Sequence, residues 1–287
     1  YVPITAYEPA GDRATYDAAY THWNGVPARD SYRVAWRAMA ANTGERTLIS
    51  ALIPPGAAHP NGVFDVGLEA SDDLVMVLAS MSSLLGDFLV RVAPKSGIYK
   101  AVVERLAYVD ADPRMAAELR LRILRLNCVS QAYGRIWTES WGDEFTDLSW
   151  ADDMTASRLG EVAPVWDEST PLRGDHERRQ AQLEVDVLVS LALGISPDEL
   201  CTVYRTQFAV LRGYDQRDYL YDANGRLVPM PVQQVWRRKG DAISKDERTH
   251  TNAMGNTYVY ELPFRNYDRE ADMRRAYAVF AERLGMT

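Results

Sequence analysis

Three clusters of side chains in this sequence have the chemistry to bind a phosphate or a nucleobase. The first comprises Arg33, Arg37 and Arg46, whose planar guanidinium groups offer several donors in one plane to phosphate or carboxylate oxygens. The same residues also fit a solvated outer face, because charged side chains are ordinary on the open side of an antiparallel sheet. The pattern leaves both interpretations open.

The second cluster is a basic loop that follows an apolar segment. Glycine lets a chain approach a ligand closely and lysine supplies a mobile charge, so such a loop suits phosphate contact. The alternative is an ordinary connection whose lysines face water, and its tyrosine can either stack on a base or pack internally. The members of this cluster are Arg91, Lys95, Ser96, Tyr99 and Lys100.

The third cluster lies on a helix predicted to begin at Pro197. Tyr204, Arg205 and Gln207 are residue types that touch phosphates or base edges. They also fit the polar end of an ordinary helix. Both interpretations stay open, and these three residues are candidate DNA contacts, as are the first two clusters.

Carboxylates do not complete a catalytic or metal site. Asp152 and Asp153 are adjacent, and paired carboxylates can bind a metal ion or act as general acid and base, but no calcium-loop pattern surrounds them. Glu184 and Asp186 lie on an apolar-patterned helix without a nearby lysine, which argues against a nuclease. The P-loop, H-E-x-x-H and G-x-S-x-G motifs are also absent. We expect no catalytic residue, no metal and no cofactor in this chain.

A hairpin and a buried helix are predicted to position the first two clusters. Residues 32–37 alternate between apolar and cationic side chains, and 47–53 predict the returning strand after a turn at 42–44. Residues 71–92 have apolar side chains at helical spacing and predict one continuous helix packed on this sheet.

The remainder is predicted to be mainly helical. Helices are expected at 115–141, at 173–193, from Pro197 with Ser196 and Glu199 as a capping box, and at 232–238 and 268–284, with a second hairpin at 219–228. The predicted fold class is α+β: a small mixed or antiparallel sheet packed on a buried helix, followed by a mainly helical subdomain with a hairpin. We divide the chain into 1–150, an acidic connection at 151–172, and 173–287.

Net charge argues against a nucleic-acid partner, whereas its distribution permits one. The chain carries −8, but residues 139–186 hold 13 acidic and 4 basic side chains, so the remainder sums to +1. Residues 91–125 hold 8 basic and 4 acidic side chains. A local basic surface is therefore compatible with the composition.

Cysteine usage and hydropathy indicate a cytoplasmic protein without a membrane segment. The two cysteines and four histidines have no disulfide-framework or zinc spacing. No apolar run approaches the roughly 18 residues of a membrane span. Because the sequence begins at Tyr1 rather than Met, we expect it to belong to a longer protein.

Eight short stretches follow one another along the chain: WR, ERTLI and IPPG in residues 32–56, then FLVRVAPKSGIY, ELCTVYRTQF, YDANGRLVP, TYVYELPF and DREADMRRAY. Together and in this order they resemble the C-terminal region of large N6-adenine DNA methyltransferases of type IIG restriction-modification and of BREX- or DISARM-like phage defence. In such proteins this region follows the catalytic domain and contains the target recognition domain. The resemblance implies that residues 1–150 are target-recognition-like.

The motifs that such an enzyme needs for catalysis are missing. The sequence has neither a glycine-rich S-adenosylmethionine loop nor an Asn-Pro-Pro-aromatic motif for a flipped adenine, since Pro54-Pro55 lacks both neighbours. The resemblance therefore implies a non-catalytic part that recognises duplex DNA and positions the adenine for an N-terminal methyltransferase domain, which would bind S-adenosylmethionine. The alternative is a docking module that joins the methyltransferase to other restriction or defence subunits.

Overall fold

The computed structural model describes residues 10–93, 97–152, 155 and 157–286. Lys95, Ser96 and Asp153 lie outside these residues. The strands are β1 (His22–Trp23), β2 (Val26–Pro27), β3 (Arg33–Arg37), β4 (Ser50–Ile53), β5 (Val63–Val66), β6 (Thr249–Thr251) and β7 (Thr257–Val259). The helices are α1 (Arg13–Ala19), α2 (Ser71–Ser82), α3 (Leu84–Val92), α4 (Lys100–Val103), α5 (Pro113–Asn127), α6 (Gly134–Glu139), α7 (Asp175–Ala192), α8 (Pro197–Gln207), α9 (Ala209–Arg217), α10 (Met230–Lys239) and α11 (Arg269–Leu284). The predicted α+β class is confirmed.

The predicted first hairpin is present, with a longer connection than expected. β3 pairs antiparallel with β4 on one side and with β5 on the other, so that Val34 lies opposite Leu52 and Val66. The returning strand begins at Ser50 rather than at Thr47. The reason is that the Asp87 carboxylate of α3 accepts the backbone N–H of Thr47 at 3.1 and 2.9 Å, which removes that group from strand pairing.

The predicted helix over 71–92 is two helices. Ser83 has an extended backbone and its hydroxyl accepts the N–H of Gly86 at 2.9 Å, which caps α3. The buried carboxylate of Asp186 accepts the N–H of Leu84 at 2.7 Å. α2 and α3 therefore meet at an angle of 61°. Within the described residues no single helix is long and apolar enough to cross a membrane. Taken together, the bent pair α2 and α3 has sufficient length and apolar composition.

One large core extends from the β3 sheet to α11. It is built by α2, α5, α7 and α11, and it includes Trp166 and Leu172 from the acidic segment that was predicted to be a connection. Arg125 of α5 fixes that segment by donating to the carbonyls of Arg158, Leu159, Ser169 and Thr170 at 2.6–3.2 Å. Residues 151–172 therefore do not separate two cores.

A second, smaller core lies within residues 218–266, which we call the small lobe. Six buried side chains form it: Leu220, Val228, Val232, Ile243, Tyr260 and Phe264. The hairpin predicted at 219–228 appears as a turn closed by a single bridge between Tyr221 and Leu227. The β6–β7 hairpin of the small lobe is additional to the prediction.

Candidate nucleic-acid interface

Arg33 is buried, contrary to both interpretations of the first cluster. Its side chain is fully inaccessible to solvent, and its guanidinium group pairs with the Asp65 carboxylate and donates to the carbonyl of Ala57. Arg33 does not face water, because Asp65 of β5 and the loop between β4 and β5 cover its side chain. Arg33 is a structural residue and cannot reach a phosphate in this fold.

Arg46 is also engaged inside the protein. Its guanidinium group donates to the Asp186 carboxylate of α7 at 3.0 Å and lies 5.7 Å from the centre of the Phe208 ring. Burial raises the pKa of Asp186, and Arg46 opposes that shift. Arg37, at the end of β3, is half-buried, and its Nε atom has no hydrogen-bond partner among the described residues.

Arg91 connects three separate parts of the chain. Its guanidinium group donates to the carbonyls of Gly44 (3.3 Å), Glu45 (3.1 Å) and Gln207 (2.6 Å), and pairs with Asp87 at 3.3 Å. It also stacks 4.2 Å from the centre of the Phe208 ring. With these contacts satisfied and its side chain only 6% exposed, Arg91 is not a surface cation.

The rest of the predicted basic loop divides between exposed and undescribed residues. Lys100 is exposed and pairs with Glu104 one helical turn later at 3.4 Å. Tyr99 is 56% exposed and packs against Phe64, with 5.7 Å between ring centres. Lys95 and Ser96, the other predicted members of this loop, lie outside the described residues.

The third cluster does not form a common surface. Tyr204 is buried and its hydroxyl donates to Asp215 at 2.9 Å; burial raises its pKa and Asp215 adds to that shift. Arg205 is exposed but paired with Glu270 at 2.9 Å. Gln207 contributes its backbone carbonyl to Arg91. The predicted site therefore lacks a contiguous basic cleft in the part of the chain that the structure describes.

Buried carboxylates explain why so many arginines turn inward. Arg122 of α5 is inaccessible to solvent and contacts Glu184 of α7 at 2.6 Å. Burial opposes the charge on Arg122, but the carboxylates of Glu184 and Glu118 outweigh it, so the pKa of Arg122 is raised. Buried charges are retained only when paired. Two carboxylates, Glu184 and Asp186, on a helix with an apolar pattern could therefore have indicated from the sequence that some arginines are buried as their partners.

A group of three exposed arginines without carboxylate partners lies in and beside the small lobe, while Arg105 and Arg114 are exposed and unpaired with carboxylates elsewhere in the described chain. Arg217 ends α9, and Arg237 and Arg238 lie in the last turn of α10; all three are exposed. Their observed polar contacts are to backbone carbonyls and to the Gln233 amide, and no described carboxylate lies within ion-pair distance. Residues 226–260 contain six basic and three acidic side chains, a net +3 in a chain of −8.

An apolar groove lies beside β5, in the N-terminal half of the chain. It has a volume of ≈ 630 Å³. Tyr99 and Tyr108, 56% and 50% exposed, stand among its walls. The Trp36 indole N–H at this site already donates to Ile98 at 2.8 Å. The main lining side chains are Trp36, Phe64, Tyr99, Val103, Leu106 and Tyr108.

Within the described residues no three His, Cys, Asp or Glu side chains are placed to hold a metal ion. No protein-family model, curated protein or solved structure matches this chain.

Proposed function

We propose that this chain is the non-catalytic C-terminal part of an N6-adenine DNA methyltransferase and that it binds duplex DNA. Its partner is a catalytic domain that binds S-adenosylmethionine and transfers the methyl group. The resemblance in eight sequence stretches supports the family. The interface differs from the one expected in the sequence, since Arg33, Arg46 and Arg91 are occupied internally.

The observation that carries the proposal is the group of exposed arginines Arg217, Arg237 and Arg238. Arginines in this protein are generally paired with carboxylates or enclosed by carbonyls, as Arg91 and Arg122 are. These three guanidinium groups donate to nearby carbonyls but have no carboxylate partner, so their charge is not neutralised and their remaining donors can contact phosphate oxygens. The local charge of residues 226–260 removes the electrostatic objection that the whole-chain charge raised.

Fluorescence anisotropy of a random-sequence duplex at several salt concentrations tests this function. Each phosphate contact contributes about 0.9 to the slope of log affinity against log salt. The variant Arg237→Ala/Arg238→Ala is expected to bind more weakly at low salt and to lower the slope by about 1.8.

The matched control removes two exposed arginines elsewhere, Arg135→Ala/Arg173→Ala. Both are paired with carboxylates, at 3.6 Å to Glu139 and 2.9 Å to Glu168. Affinity and slope should equal those of the wild type. Absence of binding at the lowest salt, or equal slopes in all three proteins, would overturn the proposal.

The apolar groove favours a second candidate function, a docking module that joins the methyltransferase to other restriction or defence subunits. Its aromatic walls, with the Trp36 N–H already satisfied, suit apolar anchors of a protein partner. This function predicts that Tyr99→Ala/Tyr108→Ala weakens association with such a subunit and leaves DNA affinity unchanged. Salt-dependent DNA binding by the isolated chain distinguishes the first function from docking alone.

A further inference from the structure

The β6–β7 hairpin of the small lobe projects from the surface. We call residues 249–259 the ribbon. Thr251 pairs with Thr257, and the residues from Ala253 to Thr257 are all exposed. Met254 at the tip is 79% exposed, the largest value among the described exposed large apolar side chains. The Met254 side chain is therefore available for contact with another molecule at the tip of the ribbon.

The tip is held in one shape by its own hydrogen bonds. The Asn252 side-chain oxygen accepts the N–H groups of Met254 and Asn256, each at 3.0 Å. The Asn252 backbone accepts from Gly255 at 2.9 Å, and Gly255 adopts φ +82°, a conformation that favours glycine. Met254 is therefore presented by a preorganised turn, which lowers the entropy lost on binding.

The base of the ribbon is anchored beside the free arginines of α10. Lys239, the last residue of α10, pairs with Glu247 at 2.5 Å, two residues before β6 begins. Arg248 donates to the Tyr260 carbonyl at 2.6 Å and to Glu261 at 2.7 Å. The last turn of α10, with Arg237 and Arg238, thus adjoins the ribbon.

The ribbon also has the composition and dimensions for a DNA groove. Residues 249–259 contain no Asp or Glu. Three paired positions at about 3.4 Å each place the tip roughly 10 Å beyond the base. The major groove, about 12 Å wide and about 8.5 Å deep, admits a two-stranded ribbon and displays a distinct pattern of donors and acceptors for each base pair.

We infer that the ribbon enters the major groove of duplex DNA and places Met254 and Asn256 against base edges, while Arg237 and Arg238 hold the adjacent phosphates. This inference rests on the proposed function and adds the element that reads sequence. An exposed Asn carboxamide can donate to and accept from adenine N7 and N6, and an apolar side chain can contact the thymine methyl group. Thr251 and Thr257, whose hydroxyls share a 2.8 Å hydrogen bond, line the same end of the ribbon.

Selection from a random duplex library, followed by sequencing of the bound fraction, tests the inference in the 287-residue chain. The wild type should enrich a base preference. Met254→Ala/Asn256→Ala should abolish that preference and lower the affinity roughly tenfold. Its salt slope should equal that of the wild type. Arg237→Ala/Arg238→Ala should retain the base preference and show a smaller dependence of log affinity on log salt. Met39→Ala removes another exposed methionine, 63% exposed, and should change neither.

The outcomes separate this inference from the function on which it rests. Salt-dependent binding without a base preference, or with a preference that Met254→Ala/Asn256→Ala retains, overturns the ribbon and leaves DNA binding intact. Replacing purines by 7-deazapurines removes the major-groove N7 acceptors, so wild-type affinity should fall; an unchanged affinity also overturns the inference. No DNA binding at all overturns both proposals.

Discussion

Arg91 contributes its whole guanidinium group to the interior, where it joins α3 to the loop before β4 and to the end of α8. Arg91→Ala would leave three carbonyls without this donor and Asp87 without its charged partner, although the backbone N–H groups of Thr47 and Leu48 still donate to Asp87. Breaking a buried ion pair costs about 3 kcal/mol of unfolding free energy, because an uncompensated charge stays buried. Urea unfolding should show this loss, whereas the salt slope of DNA binding should not change.

Arg91→Lys and Arg205→Ala are the matched controls for that substitution. Lysine keeps the charge but lacks the planar fork that reaches several carbonyls, so Arg91→Lys should recover only part of the stability. Arg205 is exposed and paired with Glu270, and exposed pairs contribute little. If Arg91→Ala is as stable as the wild type and lowers the salt slope, Arg91 is a phosphate contact after all.

At the scale of elements, one carboxylate of α7 determines the break between α2 and α3. Asp186 accepts the Leu84 N–H at 2.7 Å and pairs with Arg46 at 3.0 Å. Asp186→Asn keeps an acceptor for Leu84 but removes the charge that pairs with Arg46. We expect a loss in unfolding free energy, measured by urea denaturation, that is smaller than the roughly 3 kcal/mol of a broken buried pair. Arg46 loses its charged partner, but the burial that raises the pKa of Asp186 no longer acts against a charge.

Asp198→Asn provides the comparison, because Asp198 forms an exposed pair with Arg274. That variant should unfold at nearly the wild-type urea concentration. Equal stability of Asp186→Asn and the wild type would show that the charge of the Arg46–Asp186 pair does not stabilise the fold.

Elements whose signals are local were predictable from the sequence, and those that depend on distant partners were not. The start of α8 follows from Ser196, Pro197 and Glu199, and Gly194 with φ +68° ends α7 as predicted. The inward turn of Arg46 depends on a carboxylate 140 residues away, which no local pattern encodes. For that reason the candidate interface consists of Arg217, Arg237 and Arg238 rather than of the arginines that the sequence predicted. The ribbon escaped prediction because its strands have only three residues each.

At the scale of the whole molecule, His176 lies where the main core meets the small lobe. It belongs to α7 and is buried, its ring stacks on Tyr267 at 4.2 Å, and its backbone N–H donates to Gly225 at 3.0 Å. Its Nε2 atom has no hydrogen-bond partner among the described residues. A charged imidazole would therefore be poorly accommodated at this junction.

Burial lowers the pKa of His176 below its ordinary 6.5, and Arg179 lowers it further, while nearby carboxylates oppose the shift without reversing it. Below pH 6.5 the unfolded chain binds a proton that the folded chain resists. The stability from the neutral ring is thus complete above pH 6.5 and is lost as the pH falls towards the folded-state pKa. As the pH falls from 7.5 to 5.5, urea unfolding should show decreasing stability, with a slope that stays below the limit of about 1.4 kcal/mol per pH unit for one proton. His176→Phe keeps an aromatic ring against Tyr267 but cannot titrate, so its curve should be flatter; parallel curves for the two proteins would place the pH sensitivity elsewhere.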